Sequence, residues 1–276
     1  MSAAIPSRFR ARVKAGEPVV GAFVNLGSAL TAEIMAIAGY DWLVFDLEHG
    51  AGDEPALLSQ LQAVSHTGVG ALVRVEGVDS ARVLHALDLG ADGVLVPRVR
   101  SAEEAAVCVG FCQYAGSRGV ARYNRSWHWG LVSRTNDDAD AEVVCAVQIE
   151  TAEALADVRA IAAVDGVDVL FVGPADLAQS LGLRCPPDDP RLLERVAPVA
   201  AAAREYGKAA GMLVGTIAQA RAYRDLGFSF LGCGSDGSLL AVTAQENARQ
   251  LLDLTAVSDG DIADGDHVAQ TETRPA

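Results

Sequence analysis

Lysine is almost absent from this 276-residue chain. Lys14 and Lys208 are the only two, so nearly all of its 22 basic residues are arginine. Lys14 precedes the first predicted strand and Lys208 opens the seventh, at the wrong end for catalysis, which argues against a covalent imine on lysine. Positive charge is also short overall. The 36 acidic residues leave a formal net charge of −14. A surface that acidic repels phosphate backbones and anionic lipid, and this excludes a general nucleic-acid or membrane-surface role. A small anionic substrate is not excluded, because a few local cations or a metal override the mean field. Paired cysteines are missing too. Cys108, Cys112, Cys145, Cys185 and Cys233 are odd in number, form no C-x-x-C, and find no Cys or His pair to complete a zinc site. They read as reduced structural thiols of a cytoplasmic protein. No apolar run approaches the roughly 20 residues that span a bilayer, and the basic N-terminal stretch has no apolar core of a secretory signal.

What is present is a large supply of core. Hydrophobic residues make up 50% and charged residues 21% of the chain, which rules out global disorder. Short β-branched runs alternate with longer Ala/Leu-rich amphipathic runs. Strands are predicted at Val19–Leu26, Trp42–Glu48, Gly70–Glu76, Gly93–Arg98, Val143–Glu150, Val169–Pro174, Ala209–Val214 and Phe228–Cys233. Most are continuously apolar, as strands buried on both faces of a parallel sheet are. Helical patterns lie near 29–38, 54–65, 79–89, 101–112, 152–163, 191–206, 216–226 and 237–254, and several stop at a glycine (Gly39, Gly90, Gly207, Gly227) just before the next strand. Eight such units in about 250 residues predict a single α/β (β/α)8 barrel, with a doubly wound sheet as the alternative. The barrel is assigned to 1–256 and a disordered acidic tail to 257–276. A polar insertion at 115–142, with four arginines near two tryptophans, is too long for a plain connection and reads as functional or interfacial.

Active sites of such barrels lie at the C-terminal ends of the strands. Those ends carry Asn25, then Asp46-Leu47-Glu48-His49, Arg74, Pro97-Arg98, Gln148-Ile149-Glu150, Gly173-Pro174-Ala175-Asp176 and Gly234-Ser235-Asp236. Each has a plain structural explanation. Asp176 and Asp236 suit helix caps, Glu150 a helix first turn, Arg74 a rim ion pair, His49 a surface position and 173–176 a tight turn. Their convergence on one rim favours a functional site. Glu150 and Asp176 end neighbouring strands, so two carboxylates plus water suit a hard divalent ion with positions left for substrate oxygens. Arg74 has the shape to hold a carboxylate or enolate oxygen. Backbone N–H groups at the 173–176 turn suit a substrate carboxylate. The residues alone leave Asp88 at a helix C-terminus.

Together, GYDWLVFDLEH (Gly39–His49), Val73-Arg74, Leu87-Asp88-Leu89-Gly90 with Leu95-Val96-Pro97, Gln148-Ile149-Glu150-Thr151, FVGPADL (Phe171–Leu177) and Gly234-Ser235-Asp236 resemble the HpcH/HpaI aldolases over roughly residues 15–255. These are class II, metal-dependent aldolases of pyruvate and related 2-oxo acids. The resemblance implies Glu150 and Asp176 as ligands of Mg²⁺, Mn²⁺ or Co²⁺, Arg74 on the ketone or enolate oxygen, and His49 as the catalytic histidine paired with Asp88. It also implies Gln148, Gly173, Pro174 and Ala175 as substrate-binding positions, with a 2-oxo acid and an aldehyde as the small-molecule partners. A homo-oligomer follows by the same analogy, commonly a hexamer built from dimers that exchange the last helix. The chain departs from better-known members at Gly50–Asp53, at Gly21-Ala22-Phe23 followed by Asn25, and in the basic, aromatic stretch Arg118–Gly130. These positions shape the aldehyde side of the pocket, so the acceptor is left open. On the same residues, an oxaloacetate-type decarboxylase, a biosynthetic carbon–carbon bond-forming enzyme and a non-catalytic 2-oxo-acid-binding barrel stand as alternatives. A thioester enzyme is the less favoured reading. Borohydride treatment in the presence of pyruvate is expected to leave no adduct on the protein by mass spectrometry; a trapped adduct on Lys208 or Lys14 would overturn the imine-free reading.

Overall fold

Along a strand, side chains alternate between the two faces of the sheet. In a closed parallel barrel one set fills the interior and the other packs under the helices. The computed structural model of the protein describes residues 9–260. Its strands are β1 (Val19–Val24), β2 (Trp42–Asp46), β3 (Gly70–Arg74), β4 (Gly93–Val96), β5 (Val144–Ile149), β6 (Val169–Val172), β7 (Ala209–Val214) and β8 (Phe230–Ser235). They pair in parallel in chain order, and β8 closes on β1. The helices are α1 (Phe9–Lys14), α2 (Ala29–Ile37), α3 (Glu54–Val64), α4 (Ser80–Asp88), α5 (Ala102–Cys112), α6 (Asn136–Glu142), α7 (Ala152–Ala156), α8 (Val158–Ala163), α9 (Pro174–Ser180), α10 (Pro190–Glu205), α11 (Ile217–Asp225) and α12 (Asp236–Gly260). This is the (β/α)8 barrel that the alternation of runs predicts.

Several elements differ in extent from the sequence reading. The strands that were expected to run to Glu48, Glu76, Arg98, Glu150 and Pro174 stop two residues or so earlier, where the chain leaves the ladder and carries its polar side chains into loops. The helix expected over 152–163 is broken at Asp157. Its carboxylate turns away to accept from the N–H of Ala102 and so caps α5 (2.8 Å). Gly39 and Gly227, predicted as helix stops, have φ of 99° and 101°, a region that side-chain-bearing residues rarely adopt.

The interior set consists of Phe9, Val13, Val19, Phe23, Trp42, Val44, Leu72, Leu95, Val144, Ala146, Val169, Phe171, Ala209 and Phe230. Trp42 is fully buried at its centre, stacked on Phe230 with ring centroids 4.4 Å apart. The barrel makes room for it with glycine. A Cβ on Gly21 would stand 2.0 Å from the indole, and one on Gly232 would stand 2.7 Å from it. α1 closes the N-terminal end of the barrel with Phe9 and Val13. There the buried Arg10 guanidinium binds Asp168 (3.1 Å), which also accepts from the N–H of Cys145 (3.0 Å). The second set, including Leu43, Phe45, Val73, Val147, Ile149 and Leu170, packs against the helices.

The 115–142 insertion folds into a 3-10 turn (Arg125–Gly130) and α6. Trp127 is buried, donates to the Tyr114 hydroxyl (2.6 Å) and lies under the guanidinium of Arg122 (4.6 Å). Arg125 donates to the carbonyls of Leu61 and Leu89 (3.1 and 2.8 Å). These are carbonyls that the ends of α3 and α4 leave without helical partners. The insertion therefore packs at the N-terminal end of the barrel.

All five cysteines are free. Burial pushes the Cys108 thiol up to about 12, and a hydrogen bond with Cys112 together with burial holds Cys145 well above its ordinary value, which suits inert structural thiols. By compactness the chain divides after Gly237, and most of α12 belongs to the second unit. α12 continues to Gly260, so residues 257–260, expected to begin the tail over 257–276, are helical, and the rest of that expected tail lies outside the described residues. No helix among the described residues is long and apolar enough to cross a membrane.

Candidate active site

The polar site is a continuation of the interior set. Trp42 and Val44 face inward, and the next residue of that parity is Asp46. Leu72 is followed by Arg74, Ala146 by Gln148 and Glu150, and Phe171 by Gly173. The pairing of β2 with β3 sets Asp46 directly beside Arg74. Five positions thus gather over the aromatic plug because strand alternation brings them there.

Arg74 is held from the side. Its Nε and Nη2 donate to the two carboxylate oxygens of Asp46 at 2.9 and 2.7 Å, and its guanidinium lies over the Phe23 ring at 5.0 Å. Such a fork-on-fork pair fixes the guanidinium plane. The Nη1 end is left to face Glu48, whose Oε2 is 3.2 Å away. Asp46 is buried and also accepts from the N–H groups of Glu48 and His49, so it shapes the loop that carries both. The Glu48 side chain is nearly buried, binds Arg98 Nη2 through Oε1 (2.9 Å) and lies 3.8 Å from His49 Nε2. The His49 ring itself is exposed.

Glu150 is 4% exposed. Its Oε1 accepts from the backbone N–H of Arg98 at 2.7 Å, and its Oε2 accepts from the side-chain amide of Gln148. Burial, with Asp176 and Glu48 close by, pushes its carboxyl above the usual carboxylate range, although the Arg98 N–H pulls the other way. A Cβ at residue 173 would stand 2.5 Å from Glu150 Oε2, so the glycine there is what lets this carboxylate lie where it does. Gln148 is buried, and its Oε1 has no partner. Asp176 is exposed in the first turn of α9. Pro174 lacks an N–H, which leaves those of Ala175 and Asp176 as open donors of that turn.

This donor set fits a divalent cation. Asp176 lies close enough to act on the Glu150 carboxyl through its charge, and among the described residues no cationic side chain is bonded to Glu150 and the neighbouring Gln148 Oε1 lacks a donor. Among the described residues no cluster of three or more His, Cys, Asp or Glu is arranged to hold a metal. Water and substrate oxygens would complete the coordination of an ion on Glu150 and Asp176.

The structure therefore brings His49, Arg74, Gln148, Glu150, Gly173, Pro174, Ala175 and Asp176 to one mouth. It does not bring Asp88 there within one chain. Asp88 ends α4, and a helix end that leads into a strand lies at the N-terminal end of the barrel, opposite His49. Its partner is Arg118 Nη2 at 3.3 Å. The Arg118–Gly130 stretch lies at that same far end, so within one chain it does not line the aldehyde side of the pocket. Asp236 keeps its structural role, accepting from the Asn25 N–H and the Thr31 hydroxyl (2.9 and 2.7 Å). The sequence places Asp46, Glu48 and Arg98 among the rim residues but assigns none of them a role of its own. For Asp46 the signal was available, since it has the inward parity of Trp42 and Val44.

A (β/α)8 barrel whose strand ends converge acids and an anchored arginine on one mouth has the form of an enzyme for a small anionic substrate. The profile of the HpcH/HpaI aldolase/citrate lyase family matches residues 20–243. A hydroxypyruvate/pyruvate aldolase of Pseudomonas aeruginosa is 39% identical over 246 residues, 88% of this chain and 91% of that protein. A 4-hydroxy-2-oxo-heptane-1,7-dioate aldolase of Escherichia coli is 36% identical over 256 residues, 91% of this chain and 98% of that one. The crystal structure of an HpcH/HpaI aldolase/citrate lyase family protein from Burkholderia cenocepacia superposes with a TM-score of 0.84 at 35% identity, covering 89% of this chain and 99% of that chain. The chain belongs to the HpcH/HpaI aldolase/citrate lyase family. It is a carbon–carbon lyase of the aldolase type.

Replacing Asp46 by Asn leaves Arg74 one good acceptor instead of two and frees its plane to swing. Aldol turnover is expected to fall about 10²-fold for that misplacement, with the melting temperature within a few degrees of wild type. Unchanged turnover would show that Asp46 does not position Arg74.

Proposed function

We propose that the protein breaks or makes the bond beyond C3 of a 2-oxo acid by way of a pyruvate-type enolate, releasing or adding an aldehyde. The observation that carries this is the buried Glu150, bound to no cationic side chain among the described residues, with the charge of Asp176 close by and Arg74 rigidly held by Asp46. The substrate class is the one named for the relatives, hydroxypyruvate, pyruvate and a hydroxylated 2-oxo diacid. Mg²⁺, Mn²⁺ or Co²⁺ held by Glu150 and Asp176 would supply Lewis-acid polarisation of the substrate oxygens.

The chain's own groups do the rest. The open N–H donors of Ala175 and Asp176, in the turn that Gly173 and Pro174 begin, hold the substrate carboxylate. Gln148 keeps Glu150 oriented through its amide. Arg74 presents its Nη1 end to the keto oxygen, which gains negative charge as the C3–C4 bond breaks, and such fixed donors act mainly on that developing charge. His49 accepts the proton of the C4 hydroxyl as the aldehyde forms, and returns a proton to C3 directly or through water. Asp88 reaches His49 only if a second copy of the chain carries it there, in keeping with a homo-oligomer. Mixed His49→Ala and Asp88→Ala chains, each inactive alone, are then expected to recover part of the activity; no recovery after subunit exchange would remove Asp88 from the site.

Proton NMR of pyruvate C3 in D₂O tests the enolate without knowledge of the acceptor. Exchange is expected with added Mg²⁺ or Mn²⁺, to vanish in Glu150→Gln and Asp176→Asn, and to drop about 10²–10³-fold in Arg74→Ala. Full exchange in EDTA-treated protein would sink the scheme. The raised Glu150 carboxyl gives the pH dependence its sign. A proton and the cation compete for it, so Mn²⁺ affinity is full above the raised value and is lost as pH falls through it. That loss sets in at a higher pH than an ordinary glutamate would give.

A further inference from the structure

Arg98 follows Pro97 just beyond the end of β4 and has φ of 58°, a region that residues with side chains rarely adopt. Such conformations persist where the surroundings over-determine them, and they gather at functional sites. Two bonds hold this one. The backbone N–H donates to Glu150 Oε1 at 2.7 Å, and Nη2 donates to Glu48 Oε1 at 2.9 Å. The other oxygen of Glu48 faces Arg74 Nη1 at 3.2 Å. One residue thus touches the cation-binding acid with its main chain and, through Glu48, the substrate-binding guanidinium with its side chain.

The left-handed backbone is what aims the N–H. β4 fixes the chain up to Val96 and the fully buried Val99 anchors it just after Arg98, while Pro97 has little freedom in φ. Relaxing φ of Arg98 to a negative value must rotate the Pro97–Arg98 peptide plane and carry the N–H away from Glu150. Glycine would hold the same backbone without strain. The arginine contributes the Glu48 contact that glycine cannot.

We propose that Arg98 is a positioning residue with two functions: its backbone sets Glu150 for the divalent cation, and its guanidinium, through Glu48, sets Arg74 for the substrate. This rests on the two-carboxylate cation site proposed above. Mn²⁺ affinity of the full chain, read from the electron paramagnetic resonance of the free ion without substrate, tests the first function in Arg98→Gly, Arg98→Asn, Arg98→Ala and Arg98→Val, with Glu150→Gln as control. Glycine and asparagine accept the left-handed backbone; alanine and valine resist it. Gly and Asn variants are expected to keep the wild-type Mn²⁺ Kd within about twofold, and Ala and Val variants to weaken it about 10-fold or more. The Gly variant, with its cation site intact, is expected to lose about 10-fold in the pyruvate exchange rate at saturating Mn²⁺, and Arg98→Lys to recover part of it. The Ala variant decides the matter should Val not fold. Equal Mn²⁺ affinity in the Gly, Asn and Ala variants, or a Gly loss as large as the Ala loss, overturns the backbone function. A wild-type exchange rate in the Gly variant overturns the side-chain function. Failure of the wild-type chain to bind Mn²⁺, or unchanged binding in Glu150→Gln, overturns the cation site itself and this inference with it.

Discussion

A carboxylate withdrawn from water has to be matched by cations or donors, and the mouth of this barrel is organised around that demand. Asp46 is matched by the fork of Arg74 and two backbone N–H groups. Glu48 is matched by Arg74 and Arg98. Glu150 receives only a backbone N–H and a neutral amide, and Asp176 beside it works against it. Four acids share two arginines, so the excess is two negative charges, the charge of one divalent ion. The excess is also localised, because both arginines are committed to Asp46 and Glu48.

The opposite end of the barrel shows the other solution. Asp168 is also pushed above the usual carboxylate range by burial, yet it has Arg10 at 3.1 Å and the N–H of Cys145. The chain supplies that cation itself, and the pair closes the barrel floor beside Phe9. Had Glu150 served only the fold, an arginine on a neighbouring strand end would have matched it equally well. Arg98 is near enough, but it brings its N–H to Glu150 and sends its guanidinium to Glu48.

Much of this was legible in the residues. Continuous apolar runs marked the buried parallel strands, and the polar residues that closed them marked the rim, so the positions of His49, Arg74, Glu150 and Asp176 at the mouth could be read from the residues alone. Strand parity also contained Asp46, because Trp42, Val44 and Asp46 alternate into the interior together. The aromatic insertion was placeable too. It follows a helix and precedes a strand, and in a barrel of this kind such connections lie at the N-terminal end, away from the mouth. Composition drew attention to its arginines, which are largely engaged on Trp127, Tyr114, Asp88 and helix-end carbonyls. What the residues could not show is φ at Arg98. Proline before it signals a turn, but the sign of φ is set by where Glu150 and Glu48 lie, and both come from other strands.

The acidity of the chain and an anionic substrate are compatible once distance is taken into account. Surface charges act over about a Debye length, roughly 8 Å in physiological salt, so the net charge of −14 slows approach more than it weakens binding. Inside the mouth the balance is local. With a divalent ion on Glu150 and Asp176, the four acids and two arginines come to neutrality, and the next charge admitted can be negative. Arg74 and the first turn of α9 then offer donors already aligned, with the Arg74 plane fixed by Asp46 before the substrate arrives. On the proposed cation site, the acids that make the mouth repellent would be the same ones that hold the cation and aim the arginine, and affinity for a 2-oxo acid would then be conditional on the ion being bound first.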